Sequence, residues 1–301
     1  MLLPPKRIVL TGGGLRCLGQ LGVLEVLQKK GLLKDVKEYV GVSAGACIGF
    51  CMQLGYSLPE LQKACSEFDF TVLQNAHPEL VFDFFSKYGI DSGEQLEKLL
   101  GSLLRIKGYP IDMTFGQWAQ QNPKAPRLRC YACDIQTCEM KEFSVEKTPN
   151  LPFVFALRAS MCLPFYFTPV KDPETGHILV DGGLIHNFPM NYLTSEEQET
   201  ALGISFQYGE KQQDEISDFL GFLTQIYNCA FNPRTYQTQK RHPLRCIVIP
   251  TGQMSAYNFD VSKEKREGLF ELGRQTAKDY CDGYLQLLFQ YKKPIRRYSV
   301  C

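Results

Sequence analysis

The chain has 301 residues, of which 44% are hydrophobic and 22% charged, and its formal net charge is +1. That is enough chain to bury a full core, and the composition is ordinary for a globular protein. The near-neutral balance, with no basic run and no Arg-Gly repeat, excludes an electrostatic case for nucleic acid as a partner.

The opening, Met1-Leu2-Leu3-Pro4-Pro5-Lys6-Arg7, does not read as a signal peptide: its charges follow the apolar residues, and it lacks an apolar stretch of about 7–15 residues. Residues 6–10 form the first expected strand, which runs into Thr11-Gly12-Gly13-Gly14. Residues 15–30 carry Leu18, Leu21, Leu24 and Leu27 as a helical stripe, with Gly31 as the stop. Residues 36–42 form the second strand, and the small, apolar residues 44–54 a buried helix. Strand, helix, strand, helix implies parallel β-α-β units.

Helices are expected over 58–70, 92–104 and 115–121, the second opened by Asp91-Ser92-Gly93-Glu94. Residues 127–135 and 141–145 pair as strands around Gln136-Thr137. Residues 153–160 form a helix that stops at Leu163-Pro164, and strands at 167–170 and 177–180 flank the turn Asp172-Pro173-Glu174-Thr175-Gly176. Further strands are expected at 201–207 and 245–249, and long amphipathic helices at 216–236 and 263–288. No apolar run reaches the roughly 20 residues of a membrane span. With no repeat or linker, the chain is expected to be one domain over 1–301, with its core over roughly 6–195 and the elements of 200–290 packed on it. The expected location is intracellular, either cytoplasmic or peripheral on a membrane.

Three glycine-bounded turns each follow a strand: Gly12-Gly13-Gly14, Gly41-Val42-Ser43-Ala44-Gly45, and Asp181-Gly182-Gly183. Strand ends of an open parallel sheet gather at one edge, where three turns can supply parts of one site. A serine boxed by Gly41 and Gly45 between a strand and a helix reads as a nucleophile elbow. Acyl transfer needs a nucleophile, a base and donors for the oxyanion. Ser43 offers the first, Asp181 the second, and the amides of Gly12, Gly13 and Gly14 the third.

Of the four histidines, His77, His177 and His242 lie away from these turns, and only His186 follows one, five residues past Asp181. Asp181 acting directly on Ser43 is the favoured base and His186 the alternative. A free Asp, with a pKa near 3.9, needs desolvation to serve. Cys130-x2-Cys133-x4-Cys138 suggests zinc, but residues three apart on a strand face opposite sides and a fourth ligand is missing, so no metal is expected. The 12 cysteines, with no export signal and no Asn-X-Ser/Thr sequon, are expected to be reduced thiols, many buried, such as Cys17, Cys47, Cys51 and Cys162.

A dinucleotide site requires Gly-x-Gly-x-x-Gly, which Gly12-x-Gly14-x-x-Cys17 breaks. An α/β-hydrolase triad requires several strands before its serine and a late histidine, whereas about one strand precedes residue 36.

These residues resemble the patatin-like phospholipase family, and the resemblance covers most of the chain. Gly12-Gly13-Gly14-Leu15-Arg16 is similar to its oxyanion loop, residues 41–45 to its nucleophile box, Asp181-Gly182-Gly183 to its aspartate box, and Arg158-Ala159-Ser160-Met161-Cys162-Leu163-Pro164 to its intervening stretch. Cys17 stands where the family commonly has glycine. The resemblance implies an α/β fold of three layers, α/β/α, with a central mixed, largely parallel sheet. It also implies a Ser43–Asp181 dyad, no histidine base, no cofactor or metal in the chemistry, and hydrolysis of lipid acyl esters in phospholipids or other glycerolipids. The partner is then a lipid or membrane surface. A triacylglycerol lipase or transacylase on the same fold is the alternative, as is a non-catalytic lipid-binding protein, which the intact Ser43 and Asp181 argue against.

Three side-chain roles stay open. Arg16 either meets a lipid phosphate or holds the loop. The aromatic runs Val81-Phe82-Asp83-Phe84-Phe85 and Leu163-Pro164-Phe165-Tyr166-Phe167 are either core or a lip that meets a membrane. The helix at 216–236, with Phe219, Phe222, Leu223 and Ile226, either covers the site or packs on the sheet.

Overall fold

The computed structural model describes residues 3–74, 84–207, 216, 219–252 and 254–291. Its centre is an eight-stranded sheet. The hydrogen-bonded path runs β10 (Cys246–Ile249), β9 (Ala201–Phe206), β1 (Arg7–Leu10), β2 (Glu38–Val42), β4 (Arg127–Asp134), β8 (Ile178–Asp181), β7 (Val170–Lys171), with β5 (Glu139–Phe143) also on β4. Strands β10, β9, β1, β2 and β4 are mutually parallel, while β5 and β8 run antiparallel to β4. Residues beyond 200 thus extend the same sheet that the first turn-bearing strands build.

Side chains alternate between two cores. Ile8, Leu10 and Tyr39 face the larger one, filled by α1 (Leu18–Lys29), α2 (Ala44–Gln53), α6 (Phe153–Ser160) and α10 (Lys263–Tyr291). Val9, Val40 and Val42 face a smaller core closed by Phe188, Met190 and Leu193. On that second face α9 (Phe219–Arg241) is held by Gln239 Nε2, which donates to Ser205 Oγ at 2.9 Å. Helical layers therefore lie on both faces, which is why β1 reads as an unbroken apolar run and not as an alternating one. At the edge where β1 and β2 begin, Glu38 pairs with Arg7 at 2.8 Å and with Arg129 at 2.9 Å, and Arg129 reaches Glu197 at 2.9 Å.

Several expected elements shift. The helix expected from residue 15 begins as a 3-10 turn, Gly14–Cys17, because the glycine loop enters it tightly. The single strand expected at 167–170 is two. β6 (Phe165–Phe167) leaves for a separate parallel pair with β3 (Gly89–Asp91), and β7 joins β8. The break falls at Thr168-Pro169: the Thr168 amide donates to the Asp91 carbonyl at 2.7 Å, and Pro169 has no amide for a ladder.

Candidate active site

The elbow is built by exclusion. Ser43 adopts φ 55° and ψ −134°, a left-handed conformation that costs a non-glycine residue about 1–3 kcal/mol. Its neighbours must be glycine. A Cβ on Gly41 would sit 2.7 Å from the Ala46 backbone, and one on Gly45 2.5 Å from the Thr11 carbonyl. Helix α2 starts at once, the Cys47 amide donating to the Ser43 carbonyl at 3.2 Å, so its N-terminal end faces the serine.

Strand β4 sets where the strands that carry the two expected catalytic residues come together. It pairs with β2 through 127–131 and with β8 through 132–134, while β5 lines its other side across 130–134. Thus β2 and β8 lie on the same side of β4, end to end and running toward each other. Val42 is opposite Tyr131 and Asp181 opposite Ala132, one residue apart in register. The aspartate turn crosses this junction closely: a Cβ on Gly182 would lie 2.6 Å from the Tyr131 carbonyl and 3.3 Å from Val42 Cγ1. Asp181 is fully buried. Its amide donates to the Cys162 carbonyl at 2.7 Å, and its Oδ1 accepts from the Gly183 amide at 2.7 Å. Burial raises the Cys17 and Tyr257 pKa values, and the charge of Asp181 adds to both.

The glycine loop lies against the serine, where a Cβ on Gly12 would come within 2.9 Å of Ser43 Cβ. One expected donor is corrected here. The Gly12 amide donates to the Asn187 carbonyl at 3.2 Å, which removes it from the oxyanion donors. Among the described residues the Gly13 and Gly14 amides meet no backbone carbonyl. Arg16 is buried, donates from Nε to the Gly13 carbonyl at 3.3 Å and stacks over Phe206, so it braces the loop. Cys17 is buried beneath it, 3.4 Å from the Thr11 carbonyl.

His186 faces away from this junction. Its Nε2 lies 3.3 Å from Asn191 Nδ2 and 3.5 Å from Thr238 Oγ1. Burial, with Arg234 and Arg241 adding, pulls its pKa to about 4. His177 pairs with Asp134 at 2.8 Å. His242 lies at the end of α9, and His77 is outside the described residues. Among the described residues no group of three or more His, Cys, Asp or Glu side chains is arranged to hold a metal. Cys130 and Cys133 are buried free thiols on β4, and Cys138 is exposed in the following turn.

The aromatic runs divide between core and surface. Tyr166 and Phe167 are core, whereas Phe165, at φ 64°, is 48% exposed. Phe84 stands 6.5 Å from Phe165 and 5.5 Å from Phe85, which is 86% exposed; residues 81–83 lie outside the described residues. The surface run reaches the site through Tyr257, whose hydroxyl donates to the Pro164 carbonyl at 3.4 Å. On α9, Leu223 is buried while Phe222 and Ile226 are exposed.

Two buried side chains escaped the sequence reading. Asn187 donates from Nδ2 to the Gly12 carbonyl at 2.9 Å, and its own carbonyl also accepts from Thr11 Oγ1 at 2.7 Å. Ser160 Oγ accepts the Ser43 amide at 2.9 Å. Both lie in or just after recognisable motifs, but a lone buried Asn or Ser carries no signal until its partner is visible.

A family model described as patatin-like phospholipase matches residues 8–194. The chain belongs to the patatin-like phospholipase family. The family match, with a probable lipid hydrolase among the relatives, supports lipid hydrolysis as the class of chemistry. The chain is 27% identical to the uncharacterized protein YqhO of Bacillus subtilis, covering 90% of this chain and 96% of that one. It is 26% identical to the probable lipid hydrolase 463L of Invertebrate iridescent virus 6, covering 90% and 87%. Among solved structures, VipD from Legionella pneumophila aligns with a TM-score of 0.63 at 17% identity, covering 93% of this chain and 67% of that one. Human GIVD cytosolic phospholipase A2 aligns at 0.51 and 12%, covering 95% and 62%. These two share the patatin-like fold, a mixed α/β core around a largely parallel sheet. No helix among the described residues is long and apolar enough to cross a membrane.

Proposed function

We propose that this patatin-like protein hydrolyses fatty-acyl ester bonds of phospholipids or other glycerolipids, with Ser43 as nucleophile and Asp181 as base. The observation that supports the reading is the end-to-end meeting of β2 and β8 on β4, with Val42 opposite Tyr131 and Asp181 opposite the next residue, Ala132. Asp181 takes the Ser43 hydroxyl proton as Oγ attacks the ester carbonyl. Negative charge on the former carbonyl oxygen is met by the Gly13 and Gly14 amides and the start of α2. The intermediate collapses, the C–O bond to the alcohol breaks, and that alcohol leaves with the proton from Asp181. Water then attacks the acyl-serine, giving its proton to Asp181, and the fatty acid departs as Ser43 recovers its hydrogen.

The substrate surface is the second part of the proposal. Phe165 projects from the segment whose Cys162 carbonyl accepts the Asp181 amide, Phe85 is joined to it through the ring of Phe84, and Phe222 and Ile226 stand on the helix where Thr224 Oγ1 meets Ser255 Oγ at 2.7 Å. Apolar rings at the border of a lipid site favour a lipid–water interface.

Ser43→Ala should abolish fatty-acid release from phospholipid vesicles and labelling by a fluorophosphonate probe. Asp181→Asn should fold and lose most activity, because an amide takes no proton. Wild-type turnover in either variant would overturn the assignment.

A further inference from the structure

The break between β2 and β8 leaves a gap in the ladder on β4. Val42 is the last β2 residue paired with β4, opposite Tyr131, and the chain then turns sharply through Ser43. At this point the Ser43 amide and the Tyr131 carbonyl need partners away from water. A single side chain serves both: Ser160 Oγ accepts the Ser43 N–H at 2.9 Å and donates its proton to the Tyr131 carbonyl at 2.7 Å. Ser160 has no exposed surface and lies at the end of α6, a helix packed on β4. Its hydroxyl is thus a one-atom rung where strand pairing stops. The same Tyr131 carbonyl is the one that forces Gly182 to lack a side chain.

We infer that Ser160 is a positioning residue for the proposed reaction: it fixes the elbow amide of Ser43 to β4, and through β4 fixes Ser43 against Asp181. The argument rests on the reading of Ser43 as nucleophile and adds to it. The elbow holds a left-handed serine, a conformation that persists only where surrounding contacts over-determine it. Gly41, Gly45 and the first turn of α2 constrain the chain after and around the serine. The bond to Ser160 is the constraint on its amide. With Ser160 in place, one proton and one lone pair are both committed, so the hydroxyl has a single orientation. Without it, the amide has two outcomes: it takes a water, or the turn rotates toward Tyr131. In the second outcome Oγ moves relative to Asp181 and the Gly13–Gly14 amides, and a displacement near 1 Å costs on the order of 100-fold in rate.

The test compares Ser160→Ala with Ser160→Thr, which keeps the oxygen. In Ser160→Ala, kcat on a soluble ester and the rate of fluorophosphonate labelling should fall about 10- to 100-fold, with KM within about twofold. Ser160→Thr should recover most of the loss. Hydrogen exchange of the Ser43 amide should quicken at least about tenfold in Ser160→Ala while exchange in β1 and β9 holds, and this readout stands even if the chain turned over no lipid. Unchanged exchange and labelling in Ser160→Ala would overturn the inference. So would a uniform quickening across the whole sheet, with kcat tracking the fall in folded fraction, since that is the signature of a merely structural serine. Loss of labelling in Ser43→Ala, run alongside, separates failure of this inference from failure of the nucleophile assignment.

Discussion

Replacing Gly45 by alanine tests the elbow at its tightest point. The new Cβ would stand 2.5 Å from the Thr11 carbonyl oxygen and 2.6 Å from that of Leu10, where ordinary contact begins at 3.4 Å. Something must therefore move by nearly 1 Å. β1 is poorly placed to move: Leu10 is fully buried, and the Thr11 carbonyl is held by Gln20 Nε2 at 2.8 Å and Cys17 Sγ at 3.4 Å. The shift then falls on the first turn of α2, whose preceding residue is Ser43. Overpacking of this kind costs about 1–3 kcal/mol, and a displacement near 1 Å at the nucleophile costs about 100-fold in kcat. Urea unfolding gives the first number through the midpoint at constant slope, and turnover of a soluble ester gives the second. Gly268→Ala is the matched control. Its Cβ meets nothing within 4 Å on the exposed face of α10, so it should stabilise by about 0.5–1 kcal/mol and leave kcat alone. A Gly45→Ala variant with stability within about 0.5 kcal/mol of wild type and turnover within twofold would refute the steric account of the elbow.

Further outcomes follow from the surface and from His186. Phe85→Ser should lower turnover on phospholipid vesicles about tenfold or more, since moving a phenyl ring out of water contributes about 1.5–3 kcal/mol, and should leave hydrolysis of a soluble ester unchanged. Equal losses on both substrates would refute the interfacial role. His186 has its pKa pulled from 6.5 to about 4 by burial and by Arg234 and Arg241. The folded state therefore binds fewer protons than the unfolded one between those values. The stability from keeping His186 neutral is intact above about pH 6.5 and is lost as the pH falls toward 4, by up to about 3 kcal/mol. Urea midpoints between pH 7 and 4.5 should drop accordingly, and His186→Gln should flatten that slope; an unaltered slope would rule His186 out as its source.

Much of the fold can be read from short-range pattern. Ile8-Val9-Leu10 before three glycines, the leucine stripe of α1, and the box around Ser43 are local signals, and β1, α1, β2 and α2 form where those signals lie. Helices Phe115–Gln121 and Phe153–Ser160 match the reading at both ends, the first because Thr114 and Gln117 form a reciprocal cap. The strand expected at 167–170 divides in the fold, because Asp91, far away in sequence, captures the Thr168 amide. The aromatic runs were ambiguous for the same reason. Composition gives Tyr166 and Phe165 equal weight, and only the backbone turn at Phe165 sends one ring inward and the other out.

By itself the sequence determined the chemical types at the site: a serine that only a glycine-boxed turn can present, an aspartate before a glycine pair, and amides bared by three glycines. Those are properties of local sterics, and neighbouring residues fix them. The tertiary structure decided which groups those types meet. Gly12 gives its amide to Asn187, Arg16 turns into its own loop, His186 is drawn toward α9, and Ser160 closes the gap between β2 and β8. Each of these is a contact between distant segments whose partner is set by strand register, and register emerges only when all the strands pair.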